Sequence, residues 1–315
     1  MPNIGDWQEK VRLPATAAPV LALVTATACT GMPTSASDDG RFTVLTTFTV
    51  LADMARNVAG DKAEVKSITR VGAEIHSYEP TPEDLMRGEG ADLILDNGLG
   101  LEAWFTQFTD PIDAPTATLS AGVETIPITS GDYEGQANPH AWMSPDNAQI
   151  YVDNITAALS DLDPDNAAAY ETNAEQYKQE IAEIGDDLTA ELADLPDTRR
   201  ALVTCEGAFS YLARDADLQE KYLWPVNAEA QGTPRQIASA VEFVKDNDVP
   251  TVFCETTVND GAQRQVAKES GARMGDKLYV DSLSEADGPV PTYLDLLRYD
   301  AEAIIAGLTE EEPSP

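Results

Sequence analysis

The chain has 315 residues, of which 43% are hydrophobic and 24% are charged, so it carries enough apolar side chains for sizeable cores. Its 20 Lys and Arg against 55 Asp and Glu give a formal charge of −35, which disfavours binding to nucleic acid or to an anionic membrane surface. Three cysteines are too few for a disulfide framework, and the sequence contains only 2 histidines.

The first 29 residues differ from the rest of the sequence. Lys10 and Arg12 precede an apolar run that is too short and too rich in Thr and Pro to span a bilayer, and small residues lead from it into Cys29. This arrangement resembles a bacterial lipoprotein signal, so we expect residues 1–29 to be a signal peptide with lipidation at Cys29. Ordinary cleavage and an unmodified cysteine are the alternatives. Residues 30–40 are small and polar, as expected of a flexible tether.

From residue 41, short apolar segments alternate with segments of helical periodicity, which predicts a parallel α/β architecture. The first series contains predicted strands at Phe42–Thr47, Ala63–Thr69 and Asp92–Asp96. Its predicted helices are Val50–Ala59, one that opens at Thr81 with a proline in its first turn, and Leu101–Phe108. The second series contains predicted strands at Ala201–Thr204, Lys221–Trp224, Thr251–Cys254 and Lys277–Val280. Helices are predicted between them at Pro234–Asp246 and Gly261–Gly271.

The segment between the two series has an apolar face at helical spacing from Tyr170 to Leu195. This face predicts one stiff helix of about 45 Å, at 1.5 Å per residue, that joins two lobes. A helix broken at Gly185 is the alternative. The predicted division is a lobe over residues 41–162, a linking helix over 163–196, a second lobe over 197–310 and a tail over 311–315.

Four residues are candidate metal ligands because of where they lie. Both histidines, His76 and His140, are in Pro- and Gly-rich connections that precede a helix. Glu206 and Asp281 follow predicted strands, and in open parallel sheets ligands bind outside the carboxyl ends of the strands. A loop histidine usually only makes hydrogen bonds, and acidic residues are abundant here. Residue type alone therefore does not identify a site.

Five segments carry a family resemblance, in family order between about Arg41 and Leu308: Glu74–Pro82, Asn138–Trp142, Val203–Phe209, Asn227–Pro234 and Leu278–Glu285. They resemble the metal-binding solute-binding lipoproteins of bacterial ABC transporters, the manganese/zinc/iron type (cluster A-I, or cluster 9). The resemblance implies an α/β fold of two (β/α) lobes with mainly parallel sheets. One long rigid helix would join the lobes, and the metal site would lie in the cleft between them. It further implies the ligands of one divalent transition-metal ion: His76, His140, Glu206 and Asp281.

The identity of the metal follows less directly. Two imidazoles and two carboxylates neutralise a divalent cation and suit Mn, Fe, Co or Zn. Zinc carriers of this family tend to have a third histidine and a histidine-rich loop. This sequence has Glu206 instead, and its loop at 131–135 lacks histidine. We therefore expect Mn(II) ahead of Fe(II) and Zn(II), although Zn(II) has the higher intrinsic affinity at most mixed sites.

Neighbouring side chains suggest further roles. Four of them are candidates for orienting the ligands or excluding water, with plain packing or capping as the alternative: Asn138, Trp142, Ser210 and Tyr222. Cys205 adjoins Glu206, and Cys254 ends a neighbouring predicted strand. Buried packing, a disulfide and thiolate ligation all remain open for these two cysteines.

The sequence therefore predicts an extracytoplasmic substrate-binding protein, monomeric and lipid-anchored to the bacterial cell membrane. It would capture a divalent metal ion and deliver it to an ABC permease without catalysing a reaction. A surface adhesin and a metal-dependent hydrolase are the alternatives of another class. The hydrolase is disfavoured because the sequence has no His-Glu-x-x-His motif and no third histidine to act as acid or base.

Overall fold

The computed structural model describes residues 41–309 except 106–111, 113, 197 and 227–231. The predicted signal peptide with Cys29, the tether over 30–40 and the tail over 311–315 therefore lie outside the described residues. Among the helices that the structure describes, none has both the length and the apolar character needed to cross a bilayer.

The first half is built on a parallel sheet. Its elements are β1 (Phe42–Thr46), α1 (Thr49–Ala59), β2 (Ala63–Ser67), α2 (Pro82–Arg87), β3 (Leu93–Asp96) and β4 (Thr116–Thr118). The strand order is β2-β1-β3-β4, and every pair is parallel. Val44 lies opposite Val65 and Leu93, which places buried apolar side chains in one row across the sheet. The three predicted strands and the helix predicted at Val50–Ala59 match to within two residues.

The helix predicted over Leu101–Phe108 is wrong for residues 101–105, which form turns, and its remainder lies outside the described residues. The chain here folds around the carboxylate of Glu102. That carboxylate accepts hydrogen bonds from the amides of Asn97 and Gly98 and from the hydroxyl of Thr47. Strand β4 was not predicted, because three residues of mixed polarity carry no strand periodicity.

Two long helices follow, α3 (Pro145–Leu162) and α4 (Ala167–Leu192), with a 3₁₀ turn over Pro164–Asn166 between them. Helix α4 has 26 residues, about 39 Å, and continues through Gly185, so the alternative of a break there does not occur. A Cβ at Gly185 would lie 2.9 Å from the Cβ of Pro145. The glycine therefore permits close packing between the two helices.

The second half repeats the alternation of strands and helices. Its elements are β5 (Ala201–Glu206), α5 (Ser210–Asp215), β6 (Gln219–Trp224), α6 (Pro234–Asp246), β7 (Thr251–Val252), α7 (Gly261–Ser270), β8 (Arg273–Met274) and α8 (Tyr293–Thr309). Strand β5 pairs with β6 and β7 pairs with β8, both in parallel. The amide of Phe253 donates to the carbonyl of Val203, which joins the two pairs.

Two predictions for the second half are corrected. The strand predicted over Lys277–Val280 is wrong, because Leu278 forms an isolated bridge with Glu255 and the amide of Tyr279 donates to the Asp300 carboxylate of α8. The strand predicted over Thr251–Cys254 is shortened to β7. Strand β8 and helix α8 were not predicted.

One apolar cluster contains residues from both halves, among them Leu95, Phe209 and Tyr293. Helix α4 buries the predicted face as far as Leu192, with Ala174 in addition, and Leu195 lies beyond its end: Tyr170, Tyr177, Ile181, Ile184, Leu188 and Leu192. The predicted α/β class with parallel sheets is confirmed.

Candidate metal centre

Three of the four predicted ligands converge on one point. Nε2 of His76 lies 2.9 Å from Nε2 of His140 and 3.3 Å from Oε1 of Glu206. Nε2 of His140 lies 3.9 Å from the same oxygen. Two nitrogens that bind one ion at about 2.1 Å are themselves about 3.0–3.4 Å apart, depending on the bond angle. The observed spacing is close to that of ligand atoms around a shared ion.

Local backbone structure positions each of these side chains. His76 lies in the loop after β2, where its amide donates to the carboxylate of Glu74 at 2.6 Å. His140 directly precedes a 3₁₀ turn over Ala141–Met143 and is fully buried. Glu206 is the last residue of β5, at the carboxyl end of a parallel strand, and is also buried.

Asn138 fixes the orientation of the His140 ring. Its Nδ2 lies 2.6 Å from the carbonyl oxygen of Gly207, which can only accept, so the amide nitrogen must face that carbonyl. Its Oδ1 then lies 2.9 Å from Nδ1 of His140, which therefore donates the ring proton. Nε2 of His140 is left with the free lone pair that a metal ion requires.

Burial keeps both imidazoles neutral. Desolvation lowers the pKa of His76 from its ordinary value of 6.5 to about 4, although the charge of Glu74 acts in the opposite direction. Desolvation also lowers the pKa of His140 well below its ordinary range, and His76 reinforces that shift. Neutral imidazole is the form that binds metals, so neither ring must lose a proton at neutral pH before an ion binds.

Asp281, the fourth predicted ligand, lies outside the group of three whose ligand atoms are all within 4.8 Å of one another. It is buried, and its Oδ2 accepts a hydrogen bond of 2.8 Å from the hydroxyl of Thr257. Its Oδ1 is buried with no hydrogen-bond partner among the described residues. Burial raises the pKa of Asp281 to about 7, and the charge of Glu74 adds to the rise. A buried carboxylate oxygen without a donor is costly, and a cation would offset that cost.

The other candidate positioning residues have different surroundings. The ring centroid of Trp142 lies 5.3 Å from that of His140. The hydroxyl oxygen of Ser210 lies 3.2 Å from Nδ2 of Asn138 and accepts from it. Tyr222 is half-buried on β6 and forms part of a cavity wall. Asn138 therefore bonds directly to the predicted ligand His140, and Ser210 is linked to it through Asn138, as expected of positioning residues.

Cys205 and Cys254 form a disulfide, so of the three alternatives metal ligation is wrong and the disulfide is the one present. The amide of Glu206 donates to the carboxylate of Glu255, at 3.2 and 3.3 Å from its two oxygens. Burial raises the pKa of Glu255 to about 8. The sequence analysis missed Glu255, although it follows a cysteine at a strand end just as Glu206 does.

Residues 44–307 match the family model described as ZnuA, zinc-uptake complex component A, periplasmic. The chain is 50% identical over 268 residues to the iron-binding protein YfeA of Yersinia pestis, across 85% of this chain and 86% of that protein. The chain belongs to the ZnuA family. This ZnuA-family chain is also 33% identical over 300 residues to the manganese ABC transporter substrate-binding lipoprotein ScaA of Streptococcus gordonii, across 92% and 97% of the two chains.

A solved structure agrees with this membership. The Mn-bound periplasmic metal binding protein from Candidatus Liberibacter asiaticus matches the ZnuA-family chain with a TM-score of 0.80 and 38% identity, covering 85% of this chain and 100% of that one. The predicted two-lobed fold and the predicted family are confirmed.

The ZnuA-family chain is thus a metal-binding substrate-binding protein of an ABC transporter. The prediction that it is not an enzyme is confirmed, because the family consists of substrate-binding transport proteins. Its relatives carry names that mention iron and manganese, and the family model mentions zinc. Membership alone therefore leaves more than one metal.

Proposed function

We propose that this chain captures a divalent transition-metal ion with His76, His140, Glu206 and Asp281, and that Mn(II) is the ion it delivers to an ABC permease. The convergence of two imidazole nitrogens and one carboxylate oxygen on a single buried point carries the proposal. The unpartnered Oδ1 of Asp281 supports its assignment as the fourth ligand.

The charges of the four groups suit a divalent ion. Two neutral imidazoles and two carboxylates make a complex with no net charge, which limits the cost of burying the ion. The ion would meet the two histidines first, and Glu206 and Asp281 would complete its shell. Asp281 lies outside the group formed by the other three ligands. Binding of all four to one ion therefore requires Asp281 to move towards them.

The preference for Mn(II) rests on the oxygen content of the site. Carboxylates bind a metal through one or both oxygens, so the site allows more than the four ligands typical of Zn(II). Fe(II) fits nearly as well, and the 50% identical relative is named as iron-binding. Zn(II) has the higher intrinsic affinity for such ligands, so selectivity for Mn(II) has to come from coordination number and geometry.

The location and organisation of the protein are part of the proposal. We place it outside the cytoplasm as a monomer, with a lipid anchor at Cys29, a tether over 30–40 and the two lobes joined by α4. Relatives named as lipoproteins and as periplasmic proteins support that location.

The test is metal binding by chelator-stripped protein, measured by calorimetry with Mn(II), Fe(II) under anaerobic conditions and Zn(II), and then by pairwise competition. His140→Ala and Asp281→Ala should each raise the Kd for Mn(II) by about 100-fold or more, since each removes a ligand. Asp276→Ala, at an exposed aspartate nearby in the sequence, is the matched control and should bind as wild type does.

Two results would count against the proposal. Unchanged affinity in Asp281→Ala would remove Asp281 from the ligand set. Manganese would be excluded as the delivered ion by two observations together. The protein would retain Fe(II) or Zn(II) against excess Mn(II), and protein purified from its native host would contain that metal and no Mn(II).

A further inference from the structure

The carboxylate of Glu220 lies at the end of a hydrogen-bonded chain that leads to the metal centre. Oε2 of Glu220 accepts from the hydroxyl of Ser210 at 2.7 Å. The same hydroxyl oxygen accepts from Nδ2 of Asn138 at 3.2 Å, and Oδ1 of Asn138 accepts from Nδ1 of His140 at 2.9 Å. These hydrogen bonds thus connect β6, through α5 and Asn138, to the imidazole of His140.

The direction of each bond follows from the groups involved. The hydroxyl of Ser210 has one proton and two acceptors within reach, Oε2 of Glu220 at 2.7 Å and the carbonyl of Gly207 at 3.3 Å. The bond to the Glu220 carboxylate is the shorter and stronger of the two, so the Ser210 hydroxyl donates its proton to Glu220. The oxygen of Ser210 then has lone pairs for the amide of Asn138, whose nitrogen is committed to two acceptors.

From these contacts we propose that Glu220 is a positioning residue of the metal centre. Together with the carbonyl of Gly207, it acts through Ser210 to hold the Asn138 amide in the orientation that keeps Nδ1 of His140 protonated and presents Nε2 to the ion. This inference rests on the proposed function for its effect on affinity, whereas its effect on the tautomer does not require a metal.

The environment of Glu220 differs from that of a surface carboxylate. Its other oxygen, Oε1, is buried and has no hydrogen-bond partner among the described residues. Glu220 also lines a cavity of about 500 Å³ together with Asn138, Ser210 and Tyr222. Ionised carboxylates without full pairing are costly to bury, so Glu220 in this position lowers the stability of the folded chain.

The sequence offers an unusually clean measurement, because His76 and His140 are its only imidazoles. Two-bond 15N–1H correlation spectra of metal-free protein report which ring nitrogen carries the proton, and a His76→Gln variant assigns the two signals. Burial raises the pKa of Glu220 to about 7, so spectra at pH 8 observe its carboxylate form.

Glu220→Leu removes the acceptor that fixes the Ser210 hydroxyl, which leaves the carbonyl of Gly207 as the one firmly placed acceptor of the Asn138 amide. We expect His140 to change from one tautomer, with Nδ1 protonated, to a mixture of both. The Kd for Mn(II) and for Zn(II) should rise by about 10- to 100-fold, as for other residues that orient metal ligands. Glu220→Gln retains an acceptor oxygen and should preserve the single tautomer. Glu242→Leu makes the same change at an exposed position on α6 and should alter neither quantity.

The hydrogen-bonded path from Glu220 to His140 also predicts that the effects of two substitutions are not additive. Ser210→Ala should reproduce the tautomer mixture, and the double variant with Glu220→Leu should lose no further affinity, because both changes break the same path. Ser210→Ala keeps the test decisive if Glu220→Leu does not fold. A folded variant of either kind with a single Nδ1-protonated His140 would overturn the inference. Wild-type protein that binds neither metal would instead refute the proposed function, and the tautomer comparison would still stand.

Discussion

The disulfide between Cys205 and Cys254 should contribute a large share of the stability of this protein. The two cysteines are 49 residues apart in sequence and close β5 to the segment after β7. The chain-entropy relation for a loop of this size gives about 4 kcal/mol at 25 °C, and measured losses for native disulfides are of the order of 2–5 kcal/mol. We expect reduction to lower the free energy of unfolding by about 2–4 kcal/mol.

Urea unfolding of chelator-treated protein, followed by tryptophan fluorescence with and without dithiothreitol, measures this loss. The double variant Cys205→Ala/Cys254→Ala is the control. It retains Cys29, should have the stability of the reduced wild type and should not respond to the reductant. Equal urea midpoints for oxidised and fully reduced wild type, with the same slope, would refute the reasoning.

Two further predictions concern Gly98 and Glu102. Gly98 has a φ of 78°, and a Cβ there would lie 2.3 Å from Cγ2 of Thr118. Gly98→Ala should therefore lower the free energy of unfolding, measured in urea, by about 2–4 kcal/mol. Adding Thr118→Ser should restore only the part of that loss that comes from the steric clash. An unchanged urea midpoint in Gly98→Ala would contradict this prediction. Burial raises the pKa of Glu102 from its ordinary 4.5 to about 7. The folded state then keeps a proton that the unfolded state loses, so stability falls as the pH rises through that window, by at most about 1.4 kcal/mol per unit. Glu102→Gln should reduce the slope of stability against pH between 5 and 7, and identical slopes would count against the assignment.

Local signals made much of the fold predictable. Helix α6 was predicted with its observed bounds because Thr233 and Gln236 form a capping box around a first-turn proline, all of which can be seen in the sequence. The buried face of α4 follows from its apolar spacing alone.

The prediction failed where a side chain that bonds to the backbone changed the local structure. Tyr279 lies in an apolar run typical of a strand, yet its amide pairs with the side chain of Asp300. Glu102 bends its own segment by accepting from Asn97 and Gly98. Neither hydrogen bond can be inferred from the periodicity of apolar residues, because each depends on the position of a carboxylate in the folded chain.

The candidate site divides in the same way. His76, His140 and Glu206 were identifiable because they lie in connections or at a strand end, where side chains from different elements meet. Glu220 was not identifiable, since it is one of 55 acidic residues and lies within a strand. Glu220 differs from the other acidic residues in accepting a hydrogen bond from the hydroxyl of Ser210, a contact that forms only in the folded chain.

The apolar cluster that includes Leu95, Phe209 and Tyr293 is an interior that the two halves share, beside a smaller apolar cluster within each half. A truncation after α3 would leave one side of that interior exposed to water, and so would a chain that began at β5. We therefore expect the two halves to unfold together. An ion held by His76, His140 and Glu206 would then leave through local rearrangement of loops, because wide separation of the halves would expose the interior that they share.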